Sequence, residues 1–300
     1  MPKPVIIDCD PGTDDALALW LALAAPEIDL RLVTVAGGNT GLDRTTANAR
    51  AVLGLAGSAR ALLGEFQEAP AIHGADGLGG VVLPPGPPLS PGIAADAIRD
   101  ALRAAAPGSV TVIGLGPVTN LALAFATEPA LADRVAEIVL MGGAFSEGNI
   151  TPAAEFNAWN DPEALAVLLR LGRPLAIAPL DLTAQAFVTP DVIAALAARG
   201  GGACLAAALA ILRAAPTSQR FGHRGFPLHD PCAVAWAMAP GLFGARAAHA
   251  EMDLAPGPSR GRTVFDRWGR LGRASNVTLL ETLDAPAFFD LLGERLATLP

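Results

Sequence analysis

The chain has no tyrosine, and aromatic residues make up only 5% of its 300 residues. Charge is also scarce: 17% of residues are charged, lysine is rare, and the formal net charge is -8. No basic cluster interleaved with aromatics offsets that balance, which argues against a nucleic-acid partner. The three cysteines, Cys9, Cys204 and Cys232, form no Cys-x-x-Cys pair. An odd number without that spacing points to reduced thiols in a cytoplasmic protein, not a disulfide framework. Met-Pro-Lys-Pro leads directly into an apolar stretch, with no signal-peptide pattern. The uncharged run from Ala104 to Thr127 contains Pro107, Gly108, Gly114, Gly116, Pro117 and Asn120. Breakers at those positions suit a helix end, a buried strand and a turn, so no membrane partner is expected.

What the chain has in quantity is apolar side chain, 52% of residues, enough for a large buried core. Apolar runs at Val5 to Cys9, Leu30 to Ala36, Val110 to Leu115, Val135 to Met141 and Leu175 to Ala178 alternate with helical segments. A short strand is expected near Ala61 to Leu63, and residues 64 to 92 read as a long Gly- and Pro-rich loop. Asp161-Pro162-Glu163 and Thr189-Pro190-Asp191 carry helix-start chemistry, and His229-Asp230-Pro231 opens another helix. Short strands are expected between Arg246 and Leu280, with a closing helix from Ala285 to Leu296. Strands alternating with helices imply an α/β fold, with an open, mostly parallel central sheet and helices on both faces. No linker or composition shift divides the chain, so residues 1–300 are expected to form a single domain. In such sheets ligands bind outside the carboxyl ends of the strands.

One stretch stands out against this background. Val5 to Leu19 delivers Asp8, Asp10, Asp14 and Asp15 around the turn Pro11-Gly12. Carboxylates packed into a strand-to-helix turn repel one another unless a cation or hydrogen-bond donors lie among them. Asp14 and Asp15 taken alone complement a helix dipole, and Asp8 taken alone reads as a satisfied buried acid. As a set, oxygen ligands so close together suit Ca²⁺ or Mg²⁺ and not zinc. A phosphatase-like Asp-x-Asp-x-Thr/Val pattern fails, because Gly12 stands two residues after Asp10.

Other polar residues sit at predicted strand ends. Asn39 follows Gly37-Gly38, while Asn149 and Glu155-Phe156-Asn157 lie in the loop after the strand ending at Met141. In isolation these read as turn and loop residues, as Asp230 reads as a helix cap beside His229. Brought together, Asn, Glu and Asn side chains could hydrogen-bond the several hydroxyls of a sugar.

The motifs together resemble the inosine-uridine preferring nucleoside hydrolase family. The resemblance runs through Asp-Cys-Asp-Pro-Gly-Thr-Asp-Asp-Ala-Leu at 8 to 17, Val-Ala-Gly-Gly-Asn at 35 to 39 and Ile-His-Gly-Ala-Asp-Gly-Leu-Gly at 72 to 79. It continues in Gly-Leu-Gly-Pro-Val-Thr-Asn at 114 to 120, Met-Gly-Gly-Ala-Phe at 141 to 145, Glu-Phe-Asn at 155 to 157, Asp-Pro-Glu-Ala at 161 to 164 and His-Asp-Pro-Cys-Ala-Val at 229 to 234. It implies Ca²⁺-dependent hydrolysis of the N-glycosidic bond of ribonucleosides to ribose and free base. By the same resemblance, Asp10, Asp15, Asp230 and the backbone carbonyl of Leu115 bind the Ca²⁺, and Asp10 is the general base that takes a proton from the ion-bound water. His229 helps protonate the leaving group. Asp14, Asn39, Asn157 and Asp230 engage the 2′,3′ edge of the ribose, Asn149, Glu155 and the neighbouring Phe156 the 5′ side, and Met141 the underside of the sugar. His73 closes over the base.

The resemblance further implies a homo-oligomer, tetramer or dimer. Two neighbouring readings are a hydrolase of another ribosyl compound and a non-catalytic nucleoside- or sugar-binding protein. With no tyrosine near the leaving base, the loop from Thr217 to Arg224 leaves base preference open, with Phe221 able to stack and Gln219, Arg220, His223 or Arg224 able to hydrogen-bond.

Overall fold

The computed structural model describes residues 1–51, 68–83, 92–217 and 222–300. Strand β1 (Lys3–Cys9) has side chains buried on both faces. Val5 and Ile7 pack into one apolar cluster and Ile6 into the other, as the two-residue period of a strand requires. β1 pairs in parallel with β2 (Ile28–Val35) on one side and with β3 (Val110–Gly114) on the other. The parallel series continues through β4 (Val135–Met141) and β5 (Leu175–Ala178).

Helices cover both faces. α1 (Thr13–Ala24) follows β1, and α2 (Leu42–Arg50) follows β2. A single turn, α3 (Pro70–His73), lies in the segment expected to be loop. α4 (Ala94–Ala104) and α5 (Thr119–Thr127) flank β3. α6 (Phe156–Asn160) and α7 (Pro162–Leu169) lie between β4 and β5, and α8 (Leu180–Thr183) directly follows β5. A small ribbon, β6 (Phe187–Val188) with β7 (Phe226–Pro227), brackets α9 (Pro190–Ala198) and α10 (Ala203–Ala214). α11 (Asp230–Met238) comes next in the chain. Helix starts follow the capping chemistry: the Asp161 carboxylate accepts from Ala164 N at 3.0 Å, and Thr189 Oγ1 from Val192 N at 3.3 Å.

The C-terminal strands are β8 (Phe243–Met252), β9 (Thr263–Asp266) and β10 (Val277–Leu283), closed by α12 (Ala285–Ala297). β10 returns beside β5 in parallel, while β8 and β9 add an antiparallel edge, giving the order β2-β1-β3-β4-β5-β10-β8-β9. No helix separates β8, β9 and β10, and parallel neighbours need such a crossover. The outcome is the single-domain α/β architecture with a mostly parallel sheet that the alternation implies. The strand expected at 61–63 and the side chains of Gln219, Arg220 and Phe221 lie outside the described residues. No helix among the described residues is long and apolar enough to cross a membrane.

Candidate active site

The carboxyl ends of β1, β2, β3 and β4 open on one cavity of about 440 Å³. Its lining includes Asp14, Asn39, His73, Leu115, Met141, Asn149, Glu155, Phe156, Asn157, His229 and Asp230. Asp10 and Asp15 lie beneath it, 1% and 0% exposed. Segments more than two hundred residues apart, those of Asp14 and Asp230 among them, thus converge at strand ends, where an open parallel sheet leaves its crevice.

The turn after β1 sets the acids. Gly12 caps α1, where the sequence offers Thr13 as the capping residue, and its N–H donates to Asp15 Oδ2 at 2.9 Å. Asp10 N–H donates to Asp15 Oδ1 at 3.3 Å. Asn39 N–H donates to Asp10 Oδ2 at 2.7 Å, and its amide donates to Asp10 O at 3.1 Å and to Asp15 Oδ2 at 3.0 Å. Asn39 therefore uses its donors on the acids, and its side-chain oxygen is the atom left to address a ligand. Asp8 sits deeper and accepts from Thr34 Oγ1 at 2.6 Å and Asn120 Nδ2 at 2.9 Å. Burial raises its carboxyl to about 6 against those two bonds. This is a supporting acid, fully occupied by protein donors.

Donors do not satisfy the rest. Asp10 Oδ1 and Asp14 Oδ1 are buried with no hydrogen-bond partner among the described residues. Carboxylate oxygens of Asp14, Asp15 and Asp230 lie within 4.8 Å of one another. Burial first, and then mutual repulsion, raises Asp15 to about 7 and Asp10 and Asp230 well above the ordinary carboxylate range. A buried acid cluster of this kind is held ionised only by a positive charge. The donors are all oxygen, the chemistry of a hard divalent cation, so the residues fit such an ion. The tight trio contains Asp14 where the resemblance implies Asp10; Asp10 adjoins it through Asp15.

The far wall is built on α6. Glu155 caps that helix: Oε1 accepts from Asn157 N at 2.9 Å, and Oε2 from Gly143 N at 2.8 Å and Ala158 N at 3.0 Å. Burial pushes its carboxyl up to about 7 in spite of these donors. Asn149 Oδ1 accepts from Phe156 N at 2.8 Å, which leaves its amide N–H groups to face the cavity. Asn157 Nδ2 bridges Leu115 O at 2.7 Å and Met141 O at 3.2 Å.

Two histidines complete the rim. His73, at the end of α3, is buried, and Nδ1 accepts from Thr13 N at 3.2 Å. A backbone N–H can only donate, so the neutral ring carries its proton on Nε2. Burial holds its pKa below the ordinary value against the opposing pull of Asp14. His229 precedes α11, and its Nδ1 lies 2.6 Å from Thr183 Oγ1. Thr183 carries no signal in the sequence and Thr13 reads there only as a helix cap, since their histidine partners are 46 and 60 residues away.

The family model for inosine-uridine preferring nucleoside hydrolases matches residues 5–290. The chain belongs to that family. It is a nucleoside hydrolase, an enzyme of ribonucleoside hydrolysis. The hydrolase is 38% identical over 310 residues to the pyrimidine-specific ribonucleoside hydrolase RihA of Shewanella woodyi, covering 99% of each chain. Among solved structures it resembles a plant nucleoside hydrolase, with 30% identity, a TM-score of 0.90 and full coverage of both chains (100%). It also resembles the purine-preferring ribonucleoside hydrolase of Gardnerella vaginalis, at 29% identity and a TM-score of 0.90 over 98% of each chain.

Proposed function

We propose that this hydrolase is Ca²⁺-dependent and uses Asp10 as the base in cleaving the N-glycosidic bond of ribonucleosides. The observation that carries the reading is the pair of buried oxygens without a partner among the described residues, Asp10 Oδ1 and Asp14 Oδ1, together with the carboxylates of Asp14, Asp15 and Asp230 within 4.8 Å of one another. Asp10, Asp15, Asp230 and the Leu115 carbonyl would hold the ion. Several carboxylates and a carbonyl at one buried point suit the higher coordination number of Ca²⁺ better than the mostly hydrated octahedron of Mg²⁺. When bound, the ion supplies the positive charge that keeps the clustered acids ionised and polarises oxygens brought to it.

The chain's own groups account for the remaining work. Asp10 is held by Asn39 N–H at one oxygen, which leaves the other to take a proton from the attacking water. As water oxygen bonds to C1′, the C1′–N bond breaks and its electron pair passes to the base nitrogen, which His229 protonates. Positive charge grows on the ribosyl ring, as in glycoside hydrolysis generally. Asp14 and the amide oxygens of Asn39 and Asn157 stabilise that charge and orient the 2′,3′ edge. Asn149, Glu155 and Phe156 hold the 5′ side, Met141 packs under the sugar, and His73 offers its Nε2–H to the base. The RihA relative is named pyrimidine-specific, which makes uridine and cytidine the first substrates to try.

A nucleoside panel read by reducing-sugar release tests this reading, run with Ca²⁺, after chelation, and on Asp10→Ala. Ribose release that is lost on chelation and in the variant is expected; equal release in all three arms refutes it. The reading includes a cytoplasmic homo-oligomer, tetramer or dimer. Trp268 and Leu271, exposed beyond the sheet-edge strand β9, are apolar surface of the kind an interface covers. Light scattering on the eluting protein measures that state.

A further inference from the structure

Thr183 is fully buried at the end of α8, and its hydroxyl reaches two groups. His229 Nδ1 is 2.6 Å away and the Leu180 carbonyl oxygen 3.4 Å away. Its backbone N–H is already committed to Pro179 O at 3.0 Å, so the residue is fixed to the strand end from which α8 springs. A hydroxyl has one proton and two lone pairs. When the proton is given to Leu180 O, the oxygen is an acceptor for the ring, and the direction at the 2.6 Å contact then follows the ring's tautomer.

We propose that Thr183 is a positioning residue for His229, holding Nδ1–H so that the opposite nitrogen, Nε2, is the one presented to the leaving base. The inference rests on the reading of His229 as leaving-group acid and adds what aims it. A histidine ring turns about two side-chain torsions, and its last torsion is broad and roughly two-fold. His229 precedes α11 in the chain and lines the cavity, half-buried, and its backbone does not set which ring nitrogen faces the cavity. The contact of Nδ1 with Thr183 Oγ1 sets it. Because Nδ1 keeps its proton before and after transfer, the proton delivered is the one on Nε2. That proton goes to the base nitrogen as this atom receives the electron pair of the C1′–N bond.

The test compares two leaving groups. A nucleoside base needs a proton as it departs, whereas a nitrophenyl riboside releases a stable phenolate without one. Thr183→Val keeps the volume and removes the hydroxyl; Thr183→Ser keeps the hydroxyl. Expected for Thr183→Val is a fall in kcat on uridine of about tenfold to a hundredfold, the scale of a misplaced catalytic group, with KM nearly unchanged. Cleavage of the nitrophenyl riboside proceeds at the wild-type rate, and Thr183→Ser recovers most of the kcat on uridine. In a His229→Ala background Thr183→Val causes no further loss, since the ring it aims is gone.

Losses in Thr183→Val that are equal for both substrates, or that add in full to His229→Ala, overturn the role of Thr183 and leave the role of His229 standing. If His229→Ala itself slows both substrates alike, the acid assignment falls and the inference with it. One measurement needs no variant at Thr183. Long-range proton–nitrogen spectra of the wild-type enzyme, with His229 assigned by its loss in His229→Ala, should show the neutral ring as the Nδ1–H tautomer. The Nε2–H tautomer there refutes the proposal.

Discussion

Gly116 stands so close to Asp10 that a methyl group on its α-carbon would lie 2.2 Å from Asp10 Oδ1. Gly38 stands as close on the other side, with the corresponding distance to Oδ2 at 2.0 Å. The proposed base is thus held in a slot between two bare backbone positions, one after β2 and one after β3. Gly116→Ala should push the carboxylate out of that slot, and because Asp10 Cγ and Cβ, at 2.6 Å and 3.0 Å from the new methyl group, must give way with it, the melting temperature should fall as well. A loss of kcat of about 10²-fold is expected from a shift on the ångström scale. Steady-state kinetics with thermal unfolding checks this; an unchanged kcat would mean that the position of Asp10 does not matter.

A second expectation concerns pH. Asp10, Asp15 and Asp230 all hold their protons more tightly in the folded chain than near 3.8, where an unfolded aspartate titrates. Without a cation, folding therefore takes up protons above that value. The stability contribution is full below about pH 4 and is lost as the pH rises through about 7, the value for Asp15. A cation that binds the ionised cluster reverses the loss. The melting temperature of chelated protein should fall between about pH 5 and pH 8, and added Ca²⁺ should raise it more at the higher pH. Equal increments at both pH values would sink the acid cluster as the binding site.

The turn at residues 5–19 is legible in the sequence for a local reason, whereas its meeting with Asn39, Asn157 and Asp230 is implied there only by the family resemblance. An apolar strand, a Pro-Gly turn and two acids at a helix start are consecutive in residues 5–19, and each follows from backbone propensity. The same holds for the Asp161 and Thr189 caps, whose partners lie three residues on. What could not be read were contacts made only by tertiary packing. Nothing local marks Thr183 as the partner of His229, or Thr13 as the residue that fixes the tautomer of His73. Glu155 shows the same limit from the other side. The sequence reads it as part of a sugar-binding loop, while the N–H groups of Asn157 and Ala158 make it the cap of α6 and that of Gly143 ties it to the end of β4.

Asp10 can be separated from its neighbours by an isosteric change. Asp10→Asn keeps an oxygen for the Asn39 N–H, at 2.7 Å in the wild type, and keeps the slot filled. It removes the proton acceptor and one negative charge. The expected loss in kcat is roughly 10²–10⁴, the range for a general base, with the fold intact by circular dichroism. Calorimetry should show weaker Ca²⁺ binding in the same variant. A variant that binds Ca²⁺ like the wild type yet is inactive would keep the base role and remove Asp10 from the ligand set.

The 5′ side of the ribose offers a prediction that distinguishes architecture from contact. Asn149 accepts the Phe156 N–H through Oδ1, so its amide N–H groups remain for a ligand, while Glu155 is tied into the start of α6. If Asn149 donates to the 5′-hydroxyl, removing either partner should cost about the same, and removing both should cost little more. Asn149→Ala should therefore lose activity on uridine, by about tenfold in kcat/KM for a single hydrogen bond to a neutral partner. On 5′-deoxyuridine, which the wild-type enzyme should already cleave more slowly, the same variant should match the wild type. A loss of equal size on both substrates would show that Asn149 acts by shaping the turn before α6 and not by touching the sugar. Glu155→Gln is the contrasting case. It sets an amide N–H against backbone N–H donors, so it should lower the melting temperature and impair both substrates, uridine the more because the side chain also holds the 5′ side.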